Sequence, residues 1–407
     1  MAVAGKFSGR RGTSMVVAAA LAASLSGGNV GGALAAGAAE HAVALPRSLG
    51  PGQTGPRSAV PWRRVGAGWV LAEYWPGRYA SAGTPRAAAA TLYLIDPAGG
   101  RYRLYRWPVT KNPPFLVDWS GDKARALVSL AGALEQVVLA TGRVLHFRLA
   151  GQAQVVGYAR PLGHALLGWR QAGSRFQLSR YRLTGGLAKV LVTSTDDLIT
   201  VAVYSPAGNT LAVAARHGVQ LVSDRGGVIR TLSVPHTSNR CLPMRWWNSS
   251  MILASCQASD TSRSRLWLVP ADGGKPAALT PQRGRQSPDH GDIGAWHLPG
   301  GLYLQALASS GSARIFRQTA HQQVIGVSVP RTAGNNWILT ARGRRLLLAA
   351  RTPCHDSASL LWFNPSTRYE QTLFKTPRNL AGVLGVVPYG QPTADFHILV
   401  SCAASTG

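Results

Sequence analysis

The sequence predicts an all-β fold, on three observations. Apolar runs of about five to eight residues, alternating or β-branched, dominate the chain. The corners between them are Gly-Gly, Pro-Ala-Gly, Asp-Gly-Gly and Pro-Ser, which are turn formers. No amphipathic helical stripe persists along any segment.

The stretch YSPAGNTLAVAARHGVQLVSDRGGVIRTL, Tyr204 to Leu232, shows the unit: apolar run, Gly-Asn corner, apolar run, Gly-Gly corner, apolar run. The same plan recurs in FLVDWSGDKARALVSLAGALEQVVLATGRVLHFRL (Phe115 to Leu149). It returns in Ala90 to Trp107, Leu166 to Val192, Ser264 to Thr280, Gly301 to Val329 and Arg344 to Phe374. The spacing is about 40 residues, the length of a four-stranded propeller blade. Such a blade cannot bury both of its faces alone. Successive blades must therefore stack around an axis, and the ring must close so that few strand edges stay open. The expected fold is a β-propeller of four-stranded antiparallel blades. Seven units are counted, near 56–110, 113–150, 153–195, 198–236, 239–282, 287–331 and 333–377, with six and eight as the neighbouring counts. Two apolar runs are left over, Gly382 to Gly390 and Phe396 to Cys402. They are expected to close the ring by completing the first blade; the alternative is an incomplete eighth blade.

The corner and strand SPAGNTLAVAA (Ser205 to Ala215) resemble the SPDGxxLAF core of TolB-like, or WD40-like, propeller repeats. LWLVPADGGKPAALT (Leu266 to Thr280) is similar to the hairpin that follows it, and DWSGDKARALV (Asp118 to Val128) is a looser copy. The resemblance covers most of the chain after residue 55 in period and these three places in motif. The repeat's aspartate after Ser-Pro is Ala207 here, and the chain has no room for the amino-terminal domain of TolB itself. The resemblance implies an exported scaffold that binds other macromolecules.

The amino-terminal segment reads as an export signal, residues 1–38. Lys6, Arg10 and Arg11 precede the short apolar run MVVAAALAASLSG, and small residues follow through ALAAGAAEHA, placing cleavage between Ala35 and Ala39. GRRGTSM lacks the bulky apolar residues expected after a twin-arginine pair, which favours Sec export. The run is too short for a permanent anchor, and no later segment offers about 18 apolar residues in a row. Residues 39–55, rich in Gly, Pro and Ala, read as a flexible lead-in, and 56–407 as a single propeller domain.

An even count of four cysteines agrees with export. Cys241 and Cys256 flank the corner Asn248-Ser249-Ser250, which predicts a bridge across a hairpin. Elimination then pairs Cys354 with Cys402, although sequence permits three connectivities. Zinc is the rival reading, but the chain has no CxxC.

Charge narrows the partners. Lys and Arg number 43 against 16 Asp and Glu, a formal net charge of +27. The excess is arginine scattered along the chain (Arg101, Arg103, Arg106, Arg148, Arg180, Arg182, Arg314, Arg344, Arg345), with no block or basic helix of the kind that tracks a nucleic acid. Nucleic acid is therefore disfavoured against a protein partner or an anionic envelope polymer. The chain is read as a monomer.

No catalytic, cofactor or metal residue is assigned. The GxSxG elbow, P-loop, HExxH and GxGxxG are all missing. The motif TPCHDS places Cys354 beside His355 on extended chain, where neighbouring side chains point to opposite faces. The pair Asp196-Asp197 suits a turn better than calcium. The four glutamates leave few partners for a paired-carboxylate glycosidase. The residues to watch for ligand contact are the loop group Asp289, His290, Asp292 and His297, and the pair Trp246 and Trp247, one of which must face away from whatever the other packs on. Trp119, Trp296 and Trp337, on first strands, and Trp107, Trp267 and Trp362 are read as packing between blades. The expected role is a non-catalytic binding or interaction scaffold. The alternative is a secreted hydrolase or lyase with its site at the mouth of the central channel, assembled from several blades.

Overall fold

The computed structural model describes residues 49–76, 87–237, 240–259, 263–281, 289–308, 312–321, 323–330, 332, 335–352, 357–376, 383–390 and 397–398. The described chain is built from antiparallel meanders. Four sheets have four strands each: Phe115–Trp119 through Val144–Phe147, Gln154–Tyr158 through Leu187–Ser194, Asp289–Leu298 through Val324–Gly326, and Asn335–Arg342 through Tyr369–Lys375. The only helices among the described residues are single 3-10 turns such as Asp197–Thr200. There the side chain of Asp196 accepts the Leu198 amide and pairs with Arg216 at 3.2 Å, so this aspartate serves a turn, as its sequence setting suggested. Among the described residues no helix is long and apolar enough to cross a membrane.

The expected seven separate blades are not what the hydrogen bonds draw: the strands fall into six sheets. The first sheet has six strands because the far end of the chain joins it. Val383–Pro388 pairs antiparallel along the whole of Val70–Trp75, and His397–Ile398 adds beyond it. The surplus strands thus lie in the first sheet. One further sheet has eight strands. In it the meander Ala202–Tyr204 to Val228–Ser233 is joined to the meander Arg240–Trp246 to Ala277–Ala278 through the single pair Ala215 and Cys241. Hydrogen bonding thus crosses a corner that, in sequence, reads as a boundary.

The segment read as a lead-in is partly docked. Thr54–Pro56 lies parallel to Arg101–Thr110, and the Leu49 amide donates to the Tyr102 hydroxyl at 3.3 Å. The fold therefore begins before residue 56.

The core lies between sheet faces. Val70–Trp75 (VLAEYW) is buried at all six positions, so it reads as a continuous apolar run with one acid inside it. Val70, Ala72 and Tyr74 pack against Leu347, Leu360 and Phe374 of the last sheet. Leu71 and Trp75, one residue out of phase, pack against Leu116, Trp119 and Val128 of the second sheet. Each fully buried side chain of this kind contributes about 1.5–3 kcal/mol. Outer strands are wet: Val228–Ser233 (VIRTLS) is exposed at five of six positions.

The corner chemistry repeats as well. Ser205 Oγ accepts the Thr210 amide at 3.3 Å, and Ser120 Oγ accepts the Arg125 amide at 2.9 Å, so the two SPxG-like corners close alike. Cys241 and Cys256 face each other across the hairpin and form a disulfide. Cys354 and Cys402 lie outside the described residues.

Candidate functional site

Five first strands carry the same irregularity, the slip in Gln154–Tyr158 falling at Val156. In the other four, register against the second strand slips by one residue at Val117, Met244, Ile293 and Leu339. A bulge of this kind bends a strand and re-aims the side chains after it. In three of these strands the residues after the slip meet around one cavity of about 390 Å³, lined by Arg245, Trp247, Trp296, His297, Thr340 and Ala341. They come from Arg240–Trp246 and its corner, from Asp289–Leu298, and from Asn335–Arg342. Thr340 and Ala341 also line a second cavity of about 130 Å³ that runs on toward Trp69, Arg342 and Tyr389. A wider groove of about 510 Å³ lies on the first sheet among Tyr93, Arg103, Tyr105 and Arg106.

Arg245 organises the first cavity. Its guanidinium carbon lies 4.9 Å from the Trp247 ring centre and 5.7 Å from that of Trp296, and Nη2 donates to the Ala295 carbonyl. Gly294 leaves space for this arrangement, since a Cβ there would stand 2.6 Å from the Trp296 ring. Arg245 Nε is buried without an acceptor, and no carboxylate pairs with the group among the described residues. Loss of water pulls the guanidinium down to about 10, because nothing anionic compensates its charge. His297 is exposed at the rim.

The equivalent position in the second sheet is Asp118, and it is satisfied differently. Its carboxylate accepts the Trp119 amide at 2.7 Å, the Tyr158 amide at 2.7 Å and Arg160 Nη2 at 2.6 Å. Burial still holds the Asp118 carboxyl above its ordinary value, outweighing the pull of Arg160 and the amides. Cations on aromatic rings recur elsewhere: Arg101 on Phe374 at 4.9 Å, Arg265 on Trp267 at 5.0 Å and Arg345 on Trp362 at 5.3 Å. In a chain short of acids, rings take part of the role that carboxylates would play.

Of the residues singled out in the sequence, Trp247 and His297 reach the cavity. Trp246 turns the other way, packs on the cluster of Val203, Ile252 and Trp267, and donates from Nε1 to the Val203 carbonyl at 3.3 Å. Asp292 is fully buried, with its carbonyl accepting from Ser255 at 2.9 Å and Ser264 at 3.0 Å. Asp289 and His290 open the strand whose far end carries His297, and their side chains lie outside the described residues. The group Asp289, His290, Asp292 and His297 does not converge. It lies on an extended strand and not in a loop, and seven residues of strand separate His290 from His297 by roughly 20 Å. Among the described residues no group of three or more His, Cys, Asp or Glu is placed to hold a metal. Arg245, Thr340 and Ala341 escaped sequence reading, and Trp296 was read only as packing between blades, which it also does. The signal for them is the bulge, which depends on pairing that one strand's sequence does not display.

No family model matches the sequence, and no curated protein does. Among solved structures the chain is similar to oligopeptidase B from Trypanosoma brucei, at 10% identity and a TM-score of 0.45, over 72% of this chain and 47% of that one. It is similar to TolB from Acinetobacter baumannii, at 11% identity and a TM-score of 0.40, over 84% and 88%. It is also similar to the β-propeller domain of the Trilobed protease from Pyrococcus furiosus, at 12% identity and a TM-score of 0.48, over 76% and 95%. The chain thus spans about half the length of the oligopeptidase chain. At such identities and TM-scores these likenesses add nothing to the propeller arrangement that the antiparallel sheets themselves draw.

Proposed function

We propose that the chain is an exported, non-catalytic propeller that acts as a binding scaffold for an anionic polymer of the cell envelope. The observation that carries this reading is where the few acids go. Glu73, Asp96, Asp118, Glu135 and Asp292 are buried, and Asp122, Asp196 and Asp224 are held in ion pairs. Eight of the 16 acids are thus buried or paired, while 43 Lys and Arg set the character of the surface. Such a surface draws polyanions by a long-range attraction that salt screens over about 8 Å at physiological ionic strength. The Cys241–Cys256 disulfide supports an oxidising compartment. A hydrolytic site would need a base beside a nucleophile or a second acid. The first cavity offers an arginine, a histidine, a threonine and two tryptophans, a set suited to holding a ligand.

The test is retention of the purified mature chain on isolated envelopes and on defined anionic wall polymers at about 50 mM and about 500 mM salt. Retention at low salt and release at high salt is the expected result. Absence of retention at both salts, or retention indifferent to salt, overturns the reading.

A further inference from the structure

We propose that the cavity bounded by Arg245, Trp247 and Trp296 binds a small monocarboxylate carrying a ring-sized body. Three residues on its lining carry donors that have no protein acceptor among the described residues. The donors are Nε and Nη1 of Arg245, the imidazole of His297 and the hydroxyl of Thr340. Donors without acceptors around one cavity define the complement, which is an oxyanion.

The charge of the lining selects among oxyanions. Arg245 is the one permanent cation among its described lining residues, and its guanidinium lies over two indole rings and is already placed. One fixed positive charge in a partly desolvated setting matches a carboxylate. A phosphate dianion would call for a second fixed cation, and the described lining holds none. A volume of about 390 Å³ exceeds what a carboxylate alone fills and lies at the low end for ligand pockets. The walls that take up the remainder are Trp247, Trp296 and Ala341, which suit the flat face of a ring. The body is therefore an aromatic ring or a sugar ring, joined to the same carboxylate. This site stands apart from the polymer-binding surface, because it uses one enclosed arginine and not the summed charge of the exterior.

Calorimetric titration of the full mature chain with benzoate and with glucuronate tests both bodies, with benzamide and inorganic phosphate as the neutral and dianionic comparisons. Saturable binding of at least one carboxylate is expected, with benzamide and phosphate each weaker by about tenfold or more. Arg245→Gln should abolish that binding, and Ala341→Phe, which fills the cavity without changing its charge, should do the same. If Arg245→Gln fails to fold, Ala341→Phe and the rim variant His297→Gln carry the test, the latter expected to weaken binding severalfold. Failure of both carboxylates to bind, equal binding of benzamide, tighter binding of phosphate, or unchanged binding by folded Arg245→Gln and Ala341→Phe each overturns the proposal. Salt-dependent envelope retention should survive Ala341→Phe unchanged, so loss of one reading is distinguishable from loss of the other.

Discussion

Replacing Asp118 with alanine should lower the stability of the propeller by about 3–5 kcal/mol, the range for leaving one partner of a buried ion pair alone. Asp118 is 1% exposed at its side chain and Arg160 is 13% exposed. The carboxylate takes hydrogen bonds from its own strand, at Trp119, and from the next sheet, at Tyr158 and Arg160. Alanine removes the acceptor for all three and strands a guanidinium beside the Trp119 carbonyl, to which Arg160 Nη1 donates at 2.7 Å. The pair is not a strong stabiliser in itself, since burial raises the Asp118 carboxyl despite the adjacent Arg160. The cost therefore arises from the donors that lose the carboxylate, and the Arg160 share of it has a distinctive consequence. Asp118→Leu combined with Arg160→Met should recover the part of the loss that comes from the guanidinium but not the part from the Trp119 and Tyr158 amides, giving a favourable coupling in a double-mutant cycle. Urea unfolding followed by circular dichroism measures each variant. Losses that simply add would show that the two side chains act separately.

What was legible in the sequence follows from which interactions are local. The corner at Ser205 to Thr210 is closed by Ser205 and Asn209 side chains, so its residues announce it. The closing strand Val383–Pro388 was visible as an apolar run in excess of whole blades. Cys241 and Cys256 were visible because a hairpin places equidistant residues opposite each other. The site was harder to see. Arg245, Trp296 and Thr340 stand on three strands separated by about 50 residues, and each is aimed by a slip of register at a neighbour that its own segment does not contain. The loop reading of Asp289 to His297 failed for a related reason. Its polar residues read as a loop, whereas Gly291 and Gly294 flank slips of register within a ten-residue strand. The joining of two meanders through Ala215 and Cys241 likewise depends on how close two sheets stand, and no local pattern encodes that.

Glu73 should make the fold less stable as pH rises, and removing its charge should remove this dependence. It lies in the middle of Val70–Trp75, on the face that carries Leu71 and Trp75, fully buried, with both oxygens lacking hydrogen-bond partners. Gly385 of the closing strand lies directly opposite, and a Cβ there would come within 3.1 Å of Glu73 Oε2. Burial holds the carboxyl well above its ordinary value, against a smaller opposing pull from the Leu116 backbone. The folded pKa therefore exceeds the unfolded one, and the sign follows: the protonated form is preferred in the fold. Stability on this account is full below the unfolded value of about 4.3 and is lost as pH climbs from there through the raised folded value. Glu73→Leu removes both the charge and the unsatisfied oxygens, and should raise stability near neutral pH by about 1–3 kcal/mol, the cost of an unsatisfied buried polar group. Glu73→Gln removes the titration but keeps a polar group without partners, so it should flatten the pH dependence with a smaller gain. Unfolding midpoints for the three proteins between about pH 4 and pH 8 decide the matter. Parallel curves for wild type and both variants would mean that Glu73 does not titrate with folding. Converging curves toward low pH would place the acid where the packing puts it, neutral between the first and second sheets and held there by the strand that closes the ring.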